Sequence, residues 1–369
     1  MSVQISYKKQ FLVAIFLASI LLTIIEIGSR VWENQSTGSC GVMNSGASQD
    51  LDNSLKEQIC NDMNKVIYER PDIQRNQPNQ HYETININSF GFRGDEISKD
   101  KQSETYRIFL VGGSTAFGAG SSSDNNTIPG ILQKLLDNER RDYKFEVINA
   151  GIPGANSIRE EHYIKNYLLE FNPDMIIVYD GLNDAGNAII NRNDLGKSHN
   201  NKLEETQNII GHIIVDYFEW YRTPFVIKYI IFTSTEPISY NDSTISEMKN
   251  NWYNRWAEMC EFGNSRDIKI MITLQPILGT GDKILYQDEI VNSESYESQM
   301  TVKAINELEE PLQKLSKICS NVLDLRGGFD EIEKPIFYDL GHTNDLGNEI
   351  IANKIFEKIL PIVLEDISK

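Results

Sequence analysis

Short apolar runs alternate with amphipathic stretches from residue 106 to the end of the chain. The runs are rich in Ile, Val and Phe, as strands buried on both faces are. They are YRIFLV (106–111), FEVINAG (145–151), DMIIVYDG (174–181), IKIMITLQP (268–276) and NVLDLRG (321–327). Segments with helical spacing follow the runs, at 128–139, 157–171, 298–319 and 344–364. This alternation predicts an α/β fold in which helices cover both faces of a parallel sheet.

An apolar stretch near the start of the chain follows a different pattern. Residues 11–28, FLVAIFLASILLTIIEIG, are apolar except for Ser19, Thr23 and Glu26. At about 1.5 Å per residue, a helix of this length just crosses a hydrocarbon core of roughly 30 Å. Two lysines precede it, so the positive-inside rule predicts a cytoplasmic tip and the rest of the chain outside. A cleaved signal peptide and a buried helix remain as alternatives, although EIGSRVWE offers no convincing cleavage site.

Composition shifts divide the chain into three parts. Residues 1–30 form the tip and anchor, 31–104 are expected to be a stalk and N-terminal extension, and 105–369 form the main domain. The aromatic, apolar stretch at 187–250 fits the strand and helix rhythm least well. We interpret it as a helical insertion, because Pro224 and several charges argue against a second span.

Charge and cysteine content limit the partners and the compartment. A formal net charge of −18 argues against binding to a phosphate backbone and is compatible with neutral substrates such as sugars or esters. The four cysteines agree with an oxidising exterior. We favour the pairings Cys40–Cys60 and Cys260–Cys319, with buried thiols as the alternative for the second pair.

Polar residues and glycines cluster where the apolar runs end. Ligands bind beyond the carboxyl ends of strands in open α/β sheets, and right-handed crossovers place those ends at one edge. Four such segments are Gly112–Thr115, Asn149–Gly151, Asp180–Asp184 and Tyr338–His342.

These segments contain the groups that acyl transfer requires. Ser114 is the candidate nucleophile, His342 the base that takes its proton, and Asp339 the carboxylate that orients the imidazole. The backbone amides of Ser114 and Gly151 and the side-chain amide of Asn183 are the candidate oxyanion donors.

Each segment has a simpler interpretation on its own. Gly-Gly-Ser is a common turn, and Asn183 and Asp339 are residues that often cap helices. The catalytic hypothesis rests on the ordered set, in which nucleophile, donors, acid and base each follow their own predicted strand.

The set resembles the SGNH (GDSL-like) hydrolase superfamily in GGST, NAGIPG, GLNDAG and DLGHTNDLGN. This resemblance covers about residues 105–365 and implies a three-layer α/β/α flavodoxin-like fold with a Ser-His-Asp esterase site that uses no metal or cofactor. The segment Asn88–Gly94 is similar to the NSxGFRG segment of a membrane-anchored branch. The first block usually reads Gly-Asp-Ser, whereas this chain has Gly113 in place of the aspartate.

The expected function is therefore an outward-facing, membrane-anchored serine esterase acting on an ester, with a short acyl or acetyl group on a surface glycan as the suggested substrate. An O-acyltransferase would use the same residues, and a non-catalytic module in surface-polysaccharide assembly is the alternative from another class. A nucleotide site is excluded, because GGSTAFGAG has neither the P-loop ending nor the G-x-G-x-x-G spacing.

Overall fold

The computed structural model describes residues 7–36, 43–69, 75–139, 143–189 and 241–368. The chain forms two compact units, one made of residues 1–41 and 196–237 and the other of residues 42–195 and 238–369. Within the first unit, the described part is the helix α1, Tyr7–Ser36. Its segment Tyr7–Gly28 has a mean hydropathy of 2.5 and is long and apolar enough to cross a membrane, a test that a signal sequence also passes.

A parallel five-stranded sheet forms the centre of the second unit. Its strands are β1 Thr105–Gly112, β2 Lys144–Gly151, β3 Met175–Asp180, β4 Lys269–Leu274 and β5 Asn321–Asp324. The spatial order is β2-β1-β3-β4-β5, and every neighbouring pair is parallel. All five predicted strands are confirmed, and their carboxyl ends meet at one edge of the sheet.

Helices cover both faces of the sheet and complete three layers. The remaining helices of the described chain are α2 Asn53–Lys65, α3 Ser114–Phe117, α4 Ile128–Asp137, α5 Ser157–Asn166, α6 Leu182–Ile189, α7 Asp242–Asn264, α8 Gln287–Ser293, α9 Tyr296–Asn306, α10 Glu309–Leu315 and α11 Asp345–Asp366. On one face α4 and α11 pack against the sheet through apolar side chains such as Leu132 and Ile355. On the other face α5, α7, α9 and α10 do so through residues that include Trp252 and Ile305.

Two predicted helices are interrupted in the structure. The stretch 157–171 divides into α5 and a short 3₁₀ helix, Leu168–Phe171. The stretch 298–319 divides into α9 and α10. Pro311 lies in the first turn of α10, where its missing N–H has no helical partner to lose, so a new helix begins there.

Residues 43–69 and 75–104 pack with the sheet domain, although the sequence suggested a stalk and extension up to residue 104. Phe92 is fully buried in the core on one side of the sheet and forms edge-to-face contacts with Phe109 and Phe171. Two short antiparallel hairpins, pairing 68–69 with 75–76 and 80–81 with 86–87, precede it. The compact unit therefore begins near residue 42 rather than at 105.

A disulfide joins Cys260 of α7 to Cys319, as favoured from the sequence. Cys60 is also disulfide-bonded, while Cys40, its suggested partner, lies outside the described residues. Most of the suggested insertion at 187–250 lies outside them as well. Its flanks belong to α6 and α7, which pack against each other.

Candidate active site

The candidate nucleophile stands at the carboxyl end of β1, which lies between β2 and β3 in the sheet. The strand is buried along its whole length and leads through Gly113 into Ser114, the first residue of α3. A side chain at position 113 would collide with the amide nitrogen of Asn183. Glycine therefore lets the end of β1 and the start of α6 approach closely, and it leaves Ser114 partly exposed at the sheet edge.

Ser114, His342 and Asp339 form a continuous hydrogen-bonded relay. The Oγ atom of Ser114 lies 2.7 Å from Nε2 of His342. Nδ1 of the same imidazole lies 2.7 Å from Oδ2 of Asp339. The other carboxylate oxygen, Oδ1, accepts the backbone N–H groups of Gly341 and His342, both at 2.9 Å. The loop that carries the acid and the base is thus folded around the carboxylate itself.

The electrostatics of this relay suit a base paired with a permanent anion. Burial disfavours the charged form of Asp339, but the His342 charge and three hydrogen bonds outweigh it and lower the carboxyl pKa to about 2. Burial also disfavours the imidazolium, yet the Asp339 carboxylate outweighs that effect and raises the pKa of His342. Asp339 therefore stays ionised at neutral pH and strengthens His342 as a proton acceptor.

Asn183 lies beside the nucleophile with its amide nitrogen held in place. Its Nδ2 donates to the carbonyl oxygen of Ala155 at 2.6 Å. An amide nitrogen carries two hydrogens, so one remains for another acceptor. The N–H of Ser114 begins α3 and has no helical acceptor, as is usual for the first residues of a helix.

A sequence model of the family described as GDSL-like Lipase/Acylhydrolase matches residues 108–355, which span the whole arrangement from β1 to α11. The chain belongs to this family. It is a carboxylic ester hydrolase with a flavodoxin-like sheet order, as the resemblance of its motifs implied.

Solved structures to which the chain is similar include several esterases. The acetyl xylan esterase AlAXEase shares 15% identity and a TM-score of 0.41, covering 69% of this chain and 99% of its own. The acetylxylan esterase of Geobacillus stearothermophilus shares 13% identity and a TM-score of 0.41, with coverages of 69% and 94%. An alpha/beta hydrolase from the metagenome of Lake Arreo, Spain, shares 11% identity and a TM-score of 0.42, with coverages of 68% and 94%. No curated protein sequence matches the chain.

The backbone of Gly151 has a different use in this GDSL-family hydrolase from the one expected from sequence. Its N–H donates to Oδ1 of Asn149 at 3.1 Å, so this candidate oxyanion donor is already engaged. A Cβ at Gly151 would collide with the backbone of Phe117, which explains the glycine by packing against α3. The glycine is thus required by the hydrolase for a close approach of β2 and α3.

Gly154 is a donor candidate that the sequence reasoning missed. It has a positive φ of 76°, and nothing lies within 4 Å of the place a Cβ would take. Its N–H has no acceptor among the described residues, and the next residue, Ala155, binds Asn183. The Pro153-Gly154 pair was the available signal, but a pair of this kind also marks ordinary turns.

A buried acidic cluster lies behind Asn183 in the hydrolase. Asp184 accepts the N–H and hydroxyl of Ser157 at 2.8 and 2.6 Å, and Asp180 accepts the indole N–H of Trp252 at 2.8 Å. Burial raises the pKa values of Asp180 and Asp184, and the neighbouring Asp184 charge raises that of Asp180 further. Burial also raises the pKa of Glu160 well above its usual range, and neither of its oxygens has a hydrogen-bond partner.

Across the ranges that the structure describes, no group of three or more His, Cys, Asp and Glu side chains is arranged to hold a metal ion.

Proposed function

We propose that this hydrolase is a serine esterase that works through an acyl-enzyme at Ser114. The relay of Ser114, His342 and Asp339, with both links at 2.7 Å, is the observation that carries the proposal. A serine hydroxyl becomes a useful nucleophile only when a neighbouring base removes its proton, and His342 is within reach to do so.

The chemistry then follows in two balanced steps. Ser114 Oγ bonds to the ester carbonyl carbon while Nε2 of His342 accepts the hydroxyl proton. The C–O bond to the alcohol breaks, and His342 returns that proton to the departing oxygen. Water attacks the acyl-serine in the same way, so the acid leaves and Ser114 recovers its proton.

The negative charge on the carbonyl oxygen needs preorganised donors. We assign this role to the N–H of Ser114 and the free hydrogen of the Asn183 amide. The third donor in the proposal is the N–H of Gly154 instead of that of Gly151, because Asn149 already binds the latter.

The expected acyl group is short, such as acetyl. Leu182 and Thr115 pack toward Gly341, the residue before the catalytic imidazole, and a Cβ on that glycine would collide with Leu182. This close packing next to His342 supports the proposal of a short acyl group. The acidic chain favours a neutral ester, with an acylated surface glycan as the proposed class.

The proposed location is a membrane surface, with α1 as the anchor and the catalytic domain outside the cytoplasm. The length and hydropathy of Tyr7–Gly28 and the lysines before it support this orientation. The Cys260–Cys319 disulfide supports an oxidising compartment.

A fluorophosphonate probe tests the proposal directly, because it reacts with activated serines. The wild-type chain should be labelled, and Ser114→Ala should not. Ser316→Ala, on an exposed turn, is the matched control and should be labelled like the wild type. Labelling of Ser114→Ala, or no labelling of the wild type, would contradict the mechanism.

The same preparation tests the substrate class. A panel of esters with acyl chains of increasing length should show the highest kcat/KM for the shortest chains. Adding an acceptor sugar separates hydrolysis from acyl transfer, since a transferase would form an acylated sugar at the expense of free acid.

A further inference from the structure

Arg93 is a buried arginine whose guanidinium reaches the turn that carries the nucleophile. Its side chain is 1% exposed, and its Nε donates to Oδ1 of Asp124 at 2.7 Å. Nη1 donates to the carbonyl oxygens of Gly118 and Phe117 at 2.8 and 3.2 Å. Nη2 donates to the carbonyl of Thr84 at 2.9 Å. The guanidinium therefore links Thr84, in the segment before Arg93, to the end of α3.

The two carbonyls of Phe117 and Gly118 belong to the end of a helix that needs outside support. The helix α3 has four residues, Ser114–Phe117, and ends at Gly118 in the left-handed region. A single turn is not stable alone, because nucleation fixes several dihedral angles for one hydrogen bond. Its last carbonyls lack helical partners, and a cation that donates to them is favourable.

Other contacts tie Arg93 to the same turn. Its backbone N–H donates to the carbonyl of Asn149 at 3.1 Å, and Nδ2 of Asn149 donates to Phe117 at 3.0 Å. The guanidinium lies 4.9 Å from the centre of the Phe117 ring. The N–H groups of Gly118 and Ala119 close the turn by donating to the carbonyl of Ser114 itself. The arginine is thus one turn away from the nucleophile.

We propose that Arg93 is a positioning residue that holds the α3 turn so that Ser114 Oγ meets His342, an inference that rests on the proposed role of Ser114. Arg93 lies in the GFRG part of Asn88–Gly94, the segment similar to that of a membrane-anchored branch. Its planar fork serves four acceptors in fixed directions, whereas the ammonium of a lysine is a point charge on a flexible stem. The N-terminal extension therefore supplies part of the active-site architecture.

The test compares Arg93→Lys with Arg107→Lys in the full chain. Arg107 is a matched control: it is fully buried, ion-paired with Glu146, and donates to the carbonyls of Ser98, Lys99 and Phe171. It lies near the other end of β1, about 17 Å along the strand from Gly112. Both variants replace a buried guanidinium with an ammonium in a comparable environment, and both should lower the melting temperature.

Kinetics separate positioning from general destabilisation. Arg93→Lys should lower kcat toward an aryl acetate by about 10²-fold with little change in KM, because a misplacement of about 1 Å at the reacting atom has this effect. Arg107→Lys should change kcat by less than about threefold. If Arg93→Lys does not fold, Asp124→Asn removes the ionic partner of Arg93 and should lower kcat in the same direction. Equal kcat for the arginine variants and the wild type would overturn the proposal.

Hydrogen exchange gives a readout that does not depend on activity. The amides of Gly118 and Ala119 should exchange faster in Arg93→Lys, and not in Arg107→Lys. If the wild type hydrolyses no ester and is not labelled, the proposed function fails, and the exchange result still decides whether Arg93 holds the turn. Unchanged exchange at these amides would contradict the proposal that Arg93 holds the α3 turn, whatever the activity.

Discussion

Ser114 and His342 are separated by 228 positions in the sequence, and their Oγ and Nε2 atoms lie 2.7 Å apart. The first follows β1 and the second lies in the loop before the last helix. A contact between groups so distant in the chain depends on the whole sheet between them. Asp339 binds the far side of the imidazole at the same distance, so the three groups act as a unit.

The pH dependence of hydrolysis should report the Asp339–His342 pair. His342 must be neutral to accept a proton, so kcat/KM should rise with pH through an apparent pKa above 6.5, the ordinary histidine value. Asp339, with a pKa of about 2, should add no limb above pH 4. A rate profile with no acid limb near neutrality would contradict this assignment.

Asp339→Asn should lower kcat by about 10⁴-fold, because the imidazole loses the partner that fixes its tautomer. The pKa of His342 should fall, since the carboxylate that stabilises the imidazolium is gone. Nuclear magnetic resonance titration of the imidazole measures this shift independently of rate. An unchanged histidine pKa in the variant would show that the carboxylate does not act on His342.

Asn183→Ala should lower kcat by about 10²–10³-fold, as the loss of one oxyanion donor does in acyl transfer. KM should change little, because the amide acts on charge that develops in the transition state. Asn264→Ala is the control, since that amide donates to the carbonyl of Ile318 at the surface. A rise in KM with constant kcat would instead indicate ordinary substrate binding by Asn183.

Gly113→Asp restores the residue usual in the family, and it should lower activity in this chain. A side chain at 113 would meet Nδ2 of Asn183 and the carbonyl of Ala155, so it would displace the donor. Overpacking of this kind costs about 1–3 kcal/mol. Gly186→Asp is the control, because nothing lies within 4 Å of its Cβ position. A gain in kcat for Gly113→Asp would mean that the loop rearranges around the new carboxylate.

Glu160→Gln should stabilise the protein increasingly as pH rises. A raised carboxyl pKa in the folded state means that folding binds a proton, so this group's contribution falls as pH climbs above about 4.5. The neutral amide does not titrate, so the variant lacks this pH dependence. Its free energy of unfolding at pH 8 should exceed that of the wild type by roughly 1–3 kcal/mol, the cost of a buried group without hydrogen bonds. Urea unfolding at pH 5 and pH 8 measures the difference, and an equal effect at both values would contradict it.

The strands and the relay could be predicted because their signals are local. Apolar runs such as Ile176–Tyr179 must be buried on both faces, and residues just after them must lie at the sheet edge. Ser114 and Asn183 come together by this rule, whereas Asp339 and His342 lie in the loop between β5 and α11 and were identified by their motif.

The rest depended on contacts that no local pattern encodes. Gly151 and Gly154 are both nearby candidates for an oxyanion donor, and only the structure shows that the N–H of Gly151 is bound by Asn149. Gly154 differs from an ordinary turn glycine only by its surroundings. The role of Arg93 requires knowing that a loop 25 residues before Gly118 returns to its carbonyl. Residues 43–104 looked like a stalk because their few apolar side chains, such as Phe92, are buried against distant elements.

The packing of α6 against α7 has an evolutionary consequence. Ile189 of α6 and Ile245 of α7 are both buried in the same core, so the described residues on either side of 190–240 have fixed positions. The frame that carries the relay is therefore held together by described residues on both sides of this stretch, and selection on the stretch can act separately from selection on the fold.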